Sequence, residues 1–371
     1  MRCMINSIGG VALLLATQSA WSQSTLTLYG VADVFLQYQG NGSTHSIAGR
    51  SGGNSGSSFG LKGEEDLGNG LKAKFTLESG YNINNGTSFV DSSSLFYRQA
   101  WAGLTHADYG SLSFGRQYQP TFWAIYYTDP FRGDEALSPV AAAAVAVDRS
   151  TLATQAASGR TSNSIEYQSP VVGGFKLYTM YAFESTTAQP VAQSVGNLFD
   201  VAVTYTGGAL FVGLAYQNQH AGSEALPGLP ATLNLLGTER FTGAIAYRLG
   251  IVNLQANYTY NRSRDAAAGS LAAQLGASHP YSFAEVGATI QATVADTIGI
   301  AGIERSARGA HDSAEGIEVG IDHTMSKRTQ IYARCGYIKN HGSSTVSWPA
   351  ASVTELGSSQ RLVALGLTHR F

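Results

Sequence analysis

The stretch VNLQANYTYN, residues 252–261, alternates without a break. Val252, Leu254, Ala256, Tyr258 and Tyr260 occupy one side, and Asn253, Gln255, Asn257, Thr259 and Asn261 occupy the other. Successive side chains of a β-strand point to opposite faces, so a period of two specifies a strand with one apolar and one polar face. The same pattern runs through LKAKFTLESGY (71–81), ALFVGLAYQ (209–217) and GIEVGIDH (316–323). No amphipathic helical pattern of comparable quality follows the N-terminal region, so the chain reads as all-β.

The spacing between strands narrows the choice further. Short separators, such as EDLGNG (65–70), HADYG (106–110), TGG (206–208), LGI (249–251), VAD (294–296) and SKR (326–328), alternate with long ones. The long ones fall near 40–55, 82–92, 117–161, 184–198, 219–238, 263–279, 306–314 and 341–358. The runs between them number about sixteen, an even count. Short turns at one end and long loops at the other are the signature of a transmembrane antiparallel β-barrel, and a soluble sandwich has no such asymmetry. A closed barrel leaves no strand edge exposed, as lipid demands. Mean hydropathy near zero fits this reading, because alternating apolar and polar residues cancel in the average. Only 13% of the residues are charged, against about 25% in ordinary soluble domains. The net charge of −2 offers no basic footprint, so nucleic acid is excluded as a partner.

Both termini agree with export to an outer membrane. Arg2, the short apolar run Val11 to Ala16, and Ala20-Trp21-Ser22 before Gln23 read as a signal peptide over residues 1–22. The mature chain, 23–371, retains Cys335 alone and therefore forms no internal disulfide. Alternation places Cys335, flanked by Ala333 and Tyr337, on the lipid side of its strand, as inert packing. At the other end, LVALGLTHRF puts Val363, Leu365, Leu367, His369 and Phe371 on one face and ends on an aromatic. That is similar to the terminal strand by which bacterial barrel proteins are recognised for assembly.

An ordered set of short blocks now carries a family resemblance. TLTLYGVADV, SGSSFGLKGEEDLGNGLKAKFTLESGY, FYRQAWAGL, YGSLSFGRQY, GRTSNSIEYQSP and GLTHRF resemble the general porins of Gram-negative bacteria, of the β-proteobacterial type. The blocks keep the family's order and span the mature chain. The resemblance implies a homotrimer of sixteen-stranded barrels in the outer membrane, in contact with lipopolysaccharide. Each barrel would hold a water-filled pore for passive diffusion of small hydrophilic solutes and ions, with no cofactor.

The segment 117–161 takes its meaning from this. It opens as QYQPTFWAIYYTDPFRGDEALSP and abandons the alternation until near Asn163. A long insertion without regular structure inside a compact fold is a functional loop or a misassigned element. The resemblance makes it the third long loop, folded inward to narrow the bore. Pro120, Pro130 and Pro139 interrupt strands, the aromatics Phe122, Trp123, Tyr126, Tyr127 and Phe131 pin the loop, and Asp129, Asp134 and Glu135 are expected in the lumen. Facing them, Arg98, Arg116 and Arg160 match positions of the family's arginine cluster. Alternation with Phe59, Leu61, Phe75 and Leu77 points Lys62 and Lys74 inward as well. Acids opposite bases create a transverse field that orients water and polar solutes. Ser58 stands where many family members have another arginine, and Arg132 lies among the loop acids; the two departures bear on ion selectivity in opposite directions.

Two other functions are to be weighed. A substrate-selective channel for organic anions or amino acids would need a binding ladder, to which the lumen-facing Arg334 and neighbouring Tyr332 are candidates. An outer-membrane barrel enzyme would need a clustered Ser, His and Asp near one rim. GSSFG (56–60) matches the G-x-S-x-G pattern, but it runs into a strand rather than the strand-to-helix turn that exposes a nucleophile. The eight histidines are scattered without zinc spacing. Asp322 and His323 are adjacent and so face opposite ways.

Overall fold

The computed structural model describes residues 24–88, 94–133, 136–144, 147–148, 153–154, 159–183, 193–194, 197–224, 233–235, 237–266, 279–309, 311–348 and 355–371. The expected signal peptide, and Asp134 and Glu135, lie outside these residues.

The strands are β1 (Thr25–Asn41), β2 in two segments (Thr44–Ser51 and Ser58–Gly68), β3 (Leu71–Gly80), β4 (Gln99–His106), β5 (Gly110–Tyr118), β6 (Arg160–Gln168), β7 (Phe175–Ala182) and β8 (Leu198–Gly207). They continue as β9 (Leu210–Gln219), β10 (Gly237–Leu249), β11 (Val252–Asp265), β12 (Tyr281–Gln291), β13 (Asp296–Ala307), β14 (Asp312–Thr324), β15 (Thr329–Gly342) and β16 (Gln360–Arg370). The two β2 segments lie end to end against β1, so the sheet has sixteen positions. Each strand is antiparallel to the next, and β16 closes on β1 from Val31↔Arg370 to Asn41↔Gln360. The result is a closed barrel.

Burial is inverted relative to a soluble protein. Gln37, Gln217, Asn257, Glu285, Glu318 and Thr368 are buried, whereas Leu36, Leu214, Leu254, Val286, Ile317 and Leu365 are exposed. Alternation thus sorts apolar side chains outward and polar ones into the bore. This is the arrangement that lipid selects, because Lys or Arg facing the bilayer midplane costs about 2–4 kcal/mol. Cys335 is exposed on the outer face, as alternation requires. The terminal Phe371 exchanges backbone hydrogen bonds with Gly30 at 3.0 and 3.1 Å, and its ring covers that glycine.

One expected loop is mostly strand. Residues 44–51 continue the barrel after a turn at Gly42, whose φ of 57° is the left-handed conformation a tight hairpin uses. THSIAGRS carries one large apolar residue, Ile47, so it has no periodic signal. Five short strands outside the barrel form a second sheet. There Ala153–Thr154, within the long third loop, pairs with Val147–Asp148 and runs parallel to Asn234 and Leu235 of the β9–β10 connection.

Candidate functional site

The third connection at the long-loop end, between β5 and β6, enters the barrel. Pro120 at the first helical position starts α1 (Pro120–Tyr126), since its missing N–H would be unpaired there anyway. The helix side that carries Thr121 and Ala124 is buried against the wall. Asp200 on β8 accepts hydrogen bonds from the Thr121 amide at 3.2 Å and the Thr121 hydroxyl at 2.6 Å. Gln217 Nε2 on β9 donates to Asp200 at 2.8 Å and to Gln119 Oε1 at 3.0 Å. Farther along, Gln255 Nε2 donates to the Tyr127 carbonyl at 3.2 Å. Pro130 then lies where a side chain on Gly287 would sit, 2.5 Å from that Cβ position, so a bare wall residue admits the loop. Leu137 and Ala142 pack with Phe35, Tyr332 and Trp348, and α2 (Pro139–Ala144) places Val140 and Ala143 against Tyr281, Phe283 and Ile303. The loop thus covers the inner wall from β8 round to β15 and narrows the bore.

The expected loop acid Asp129 does not reach the channel. It is fully buried, and it accepts hydrogen bonds from the amides of Phe131 at 2.7 Å and Gly133 at 2.6 Å and from the Ser138 hydroxyl at 2.9 Å. A short carboxylate bonds readily to amides just ahead of it in a turn, and here that local closure wins over exposure. Burial pushes the Asp129 carboxyl above its ordinary value, and those three hydrogen bonds partly oppose the rise. Arg132 is exposed instead, in the left-handed conformation at φ 54°.

On the wall, Lys62 is exposed with its ammonium 5.4 Å from the centre of the Tyr29 ring. Lys74 and its neighbour Lys72 both pair with Glu64, Lys74 at 2.9 Å. Arg98 Nε meets Glu78 Oε1 at 2.6 Å, and Tyr29 donates to the other Glu78 oxygen at 2.8 Å. Arg160 lies over the Tyr118 ring at 4.3 Å and donates to its hydroxyl at 2.6 Å. Arg116 is buried, unlike the exposed Leu112 and Phe114 of the same strand. The β5–β6 register slips between Gly115 and Gln117, and Arg116 sits at the slip, opposite Ala100 of β4. Its guanidinium bonds the Tyr97 carbonyl and, at 3.1 Å, Ser162 Oγ.

Arg334 and Tyr332 form structural ties. Arg334 pairs with Asp322 at 2.7 Å and Asn54 Oδ1 at 3.2 Å and lies over Phe131 at 5.2 Å, while Tyr332 donates to Asp33 at 2.7 Å. Ser58 opens the second β2 segment opposite Val31, in strand geometry.

Two inward features were not anticipated. Residues 52–57 fold round the buried carboxylate of Asp33, which accepts the amides of Gly53, Asn54 and Ser55 and the hydroxyl of Thr368. The β15–β16 connection sends Trp348 into the interior, where its Nε1 donates to Glu318 at 2.9 Å. The available signals were a lone Trp-Pro in a polar loop and Gly336, whose Cβ position lies 2.5 Å from the Trp348 ring.

A barrel with a polar interior, narrowed by a loop hydrogen-bonded to its wall, sorts solutes by size and charge. Similarity to known proteins agrees with this geometry. The family model of the Gram-negative porins matches residues 10–343. Outer membrane porin protein 32 of Delftia acidovorans is 29% identical, with 99% of this chain and 100% of that protein covered. An outer membrane porin protein of Bordetella pertussis is 27% identical, with 95% of this chain and 96% of that protein covered. Among solved structures, the anion-selective porin from Comamonas acidovorans superposes with a TM-score of 0.75 at 25% identity, covering 94% of this chain and 100% of that one.

Proposed function

The chain belongs to the Gram-negative porin family and forms a channel for passive diffusion of small hydrophilic solutes across the outer membrane; on that premise we propose that its constriction favours anions. The observation that carries this reading is the sign of the charge left facing the pore. Asp129 is withdrawn into hydrogen bonds, while Arg132 on the same loop is exposed. On the wall, Lys62 is exposed, while Lys72 and Lys74 pair with Glu64 and Asp66 faces Lys72 across the strands. Arg98 is matched by Glu78 and adds little net field. Asp134 and Glu135 follow Arg132 in the chain and oppose it, so the preference is modest. The Comamonas neighbour, itself an anion-selective porin, points the same way.

In this reading residues 1–22 are removed on export, and the third loop over about 117–161 is the constriction, with Arg160 at its base. The chain acts as a homotrimer among outer-membrane lipid and lipopolysaccharide, and Phe371 is the mark read by the barrel assembly machinery. It carries out no covalent chemistry, since Ser58 begins a strand and lacks the turn a nucleophile needs.

The test is the reversal potential of the purified protein in a planar bilayer with potassium chloride at a tenfold gradient. The expected potential lies on the chloride side of zero, and Lys62→Glu moves it towards potassium. A wild-type potential on the potassium side refutes the proposal.

A further inference from the structure

Helix α1 has two unlike faces. Thr121 and Ala124 hold it to the wall, and the opposite side carries Phe122, Trp123 and Tyr126, followed by Tyr127. The wall bonds already fix the helix, so these rings are more than anchors. Their centroids follow one another at close range: Tyr118 to Phe122 at 4.5 Å, Phe122 to Tyr126 at 5.5 Å, Tyr126 to Tyr127 at 5.2 Å, and Tyr127 to Phe211 of β9 at 5.2 Å. The series runs from the long-loop end of β5 to Phe211, beside the short turn before β9. Tyr127 remains 49% exposed inside the bore. An exposed ring gives up the gain of burial, which a planar solute stacking there would recover.

The track is flanked by cations. Arg160 lies over Tyr118 at one end. At the other, Lys176 lies 4.5 Å from the centre of the Tyr178 ring, and Tyr178 is stacked 6.5 Å from Trp123. By register Lys176 shares the inner face with Phe211, two strands away. Between them, the exposed Arg132 precedes Gly133, whose Cβ position lies 3.8 Å from the Tyr126 ring. Glu166 is an acid that acts on Lys176; it is buried and accepts a hydrogen bond from Gln168 at 2.9 Å, and Gln168 accepts one from Lys176 Nζ at 2.8 Å.

We propose that the Tyr126–Tyr127–Phe211 platform, with Lys176 and Arg132, is a transit site for small aromatic carboxylates, a reading that rests on the chain being an open channel. The ring stacks offset on Tyr127 and Phe211, the geometry that aromatic pairs prefer. The carboxylate is passed between Arg132 and Lys176. An aliphatic acid gains the charge contact without the stacking.

The test uses purified protein in a planar bilayer and compares block of the chloride current by benzoate and by cyclohexanecarboxylate, acids of equal charge and nearly equal size. Benzoate should give blocked dwells about fivefold longer, and Tyr127→Ala or Phe211→Leu should bring the two acids together. Equal dwells in the wild type, or a benzoate preference unchanged by both substitutions, overturn the platform while chloride steps still uphold the channel. Absence of chloride steps from folded wild-type protein overturns the channel and the platform together.

Discussion

Replacing Asp200 by alanine should loosen the constriction loop without unfolding the barrel. Asp200 is fully buried and serves three donors: the Thr121 amide at 3.2 Å, the Thr121 hydroxyl at 2.6 Å and Gln217 Nε2 at 2.8 Å. A hydrogen bond to a charged group contributes about 1.5–3 kcal/mol, and a buried donor left unpaired costs about 1–3 kcal/mol. Channel water entering the vacated space restores part of this, so a net loss of about 3 kcal/mol is reasonable. That raises the population of the detached helix about a hundredfold. Anchors farther along, at Tyr127, Pro130 and Leu137, are untouched, so only the first half of the loop is freed. Backbone pairing of β8 with β7 and β9 does not involve the carboxylate, so the barrel's thermal transition should stay in place. In single-channel records the variant should flicker between the wild-type level and a larger one. Thr121→Val removes the hydroxyl alone, at about 1 kcal/mol, and should flicker less. The double variant should fall short of the sum of the two, because both delete the same bond. D200A records with wild-type noise and conductance would refute the claim that this carboxylate holds the loop.

Two further outcomes follow from the interior packing. Gly336→Ala puts a Cβ 2.5 Å from the Trp348 ring, which must leave and break its bond to Glu318; overpacking of this kind costs about 1–3 kcal/mol. Tryptophan emission should shift to the red, and an unshifted spectrum with unchanged conductance would show that the ring is free to adjust. Acidification tests Asp129, whose folded-state pKa is raised by burial. A raised carboxyl binds its proton more tightly when the loop is docked, so its stabilising contribution is fully present below the unfolded value, about 3.9, and is lost as pH rises through the folded one. Loop flicker should therefore diminish as pH is lowered from neutral towards about 4, and an increase over that range would contradict the sign.

Much of the barrel was legible because it is written in local geometry. The alternation in VNLQANYTYN states which side chains meet lipid, since a strand's Cβ directions follow from its covalent structure. The same rule places Cys335 on the exposed face and Arg334 on the buried one. It failed where the backbone breaks period. THSIAGRS gives no periodic signal because its outward face is hardly apolar, and the slip between Gly115 and Gln117 breaks the alternation at Arg116.

The charges that face the pore were decided by the tertiary structure. Asp129 looks like a pore acid until Phe131, Gly133 and Ser138 are seen to enclose it. Arg98 looks like a free base until Glu78 is brought to 2.6 Å by the β3–β4 pairing. Asp33 looks like wall charge until Tyr332 and Thr368, far along the chain, close upon it when β16 meets β1. A strand's face depends on its own few residues and survives in the sequence. A charged group's effect depends on which partners reach it, and those partners are chosen only when the barrel shuts.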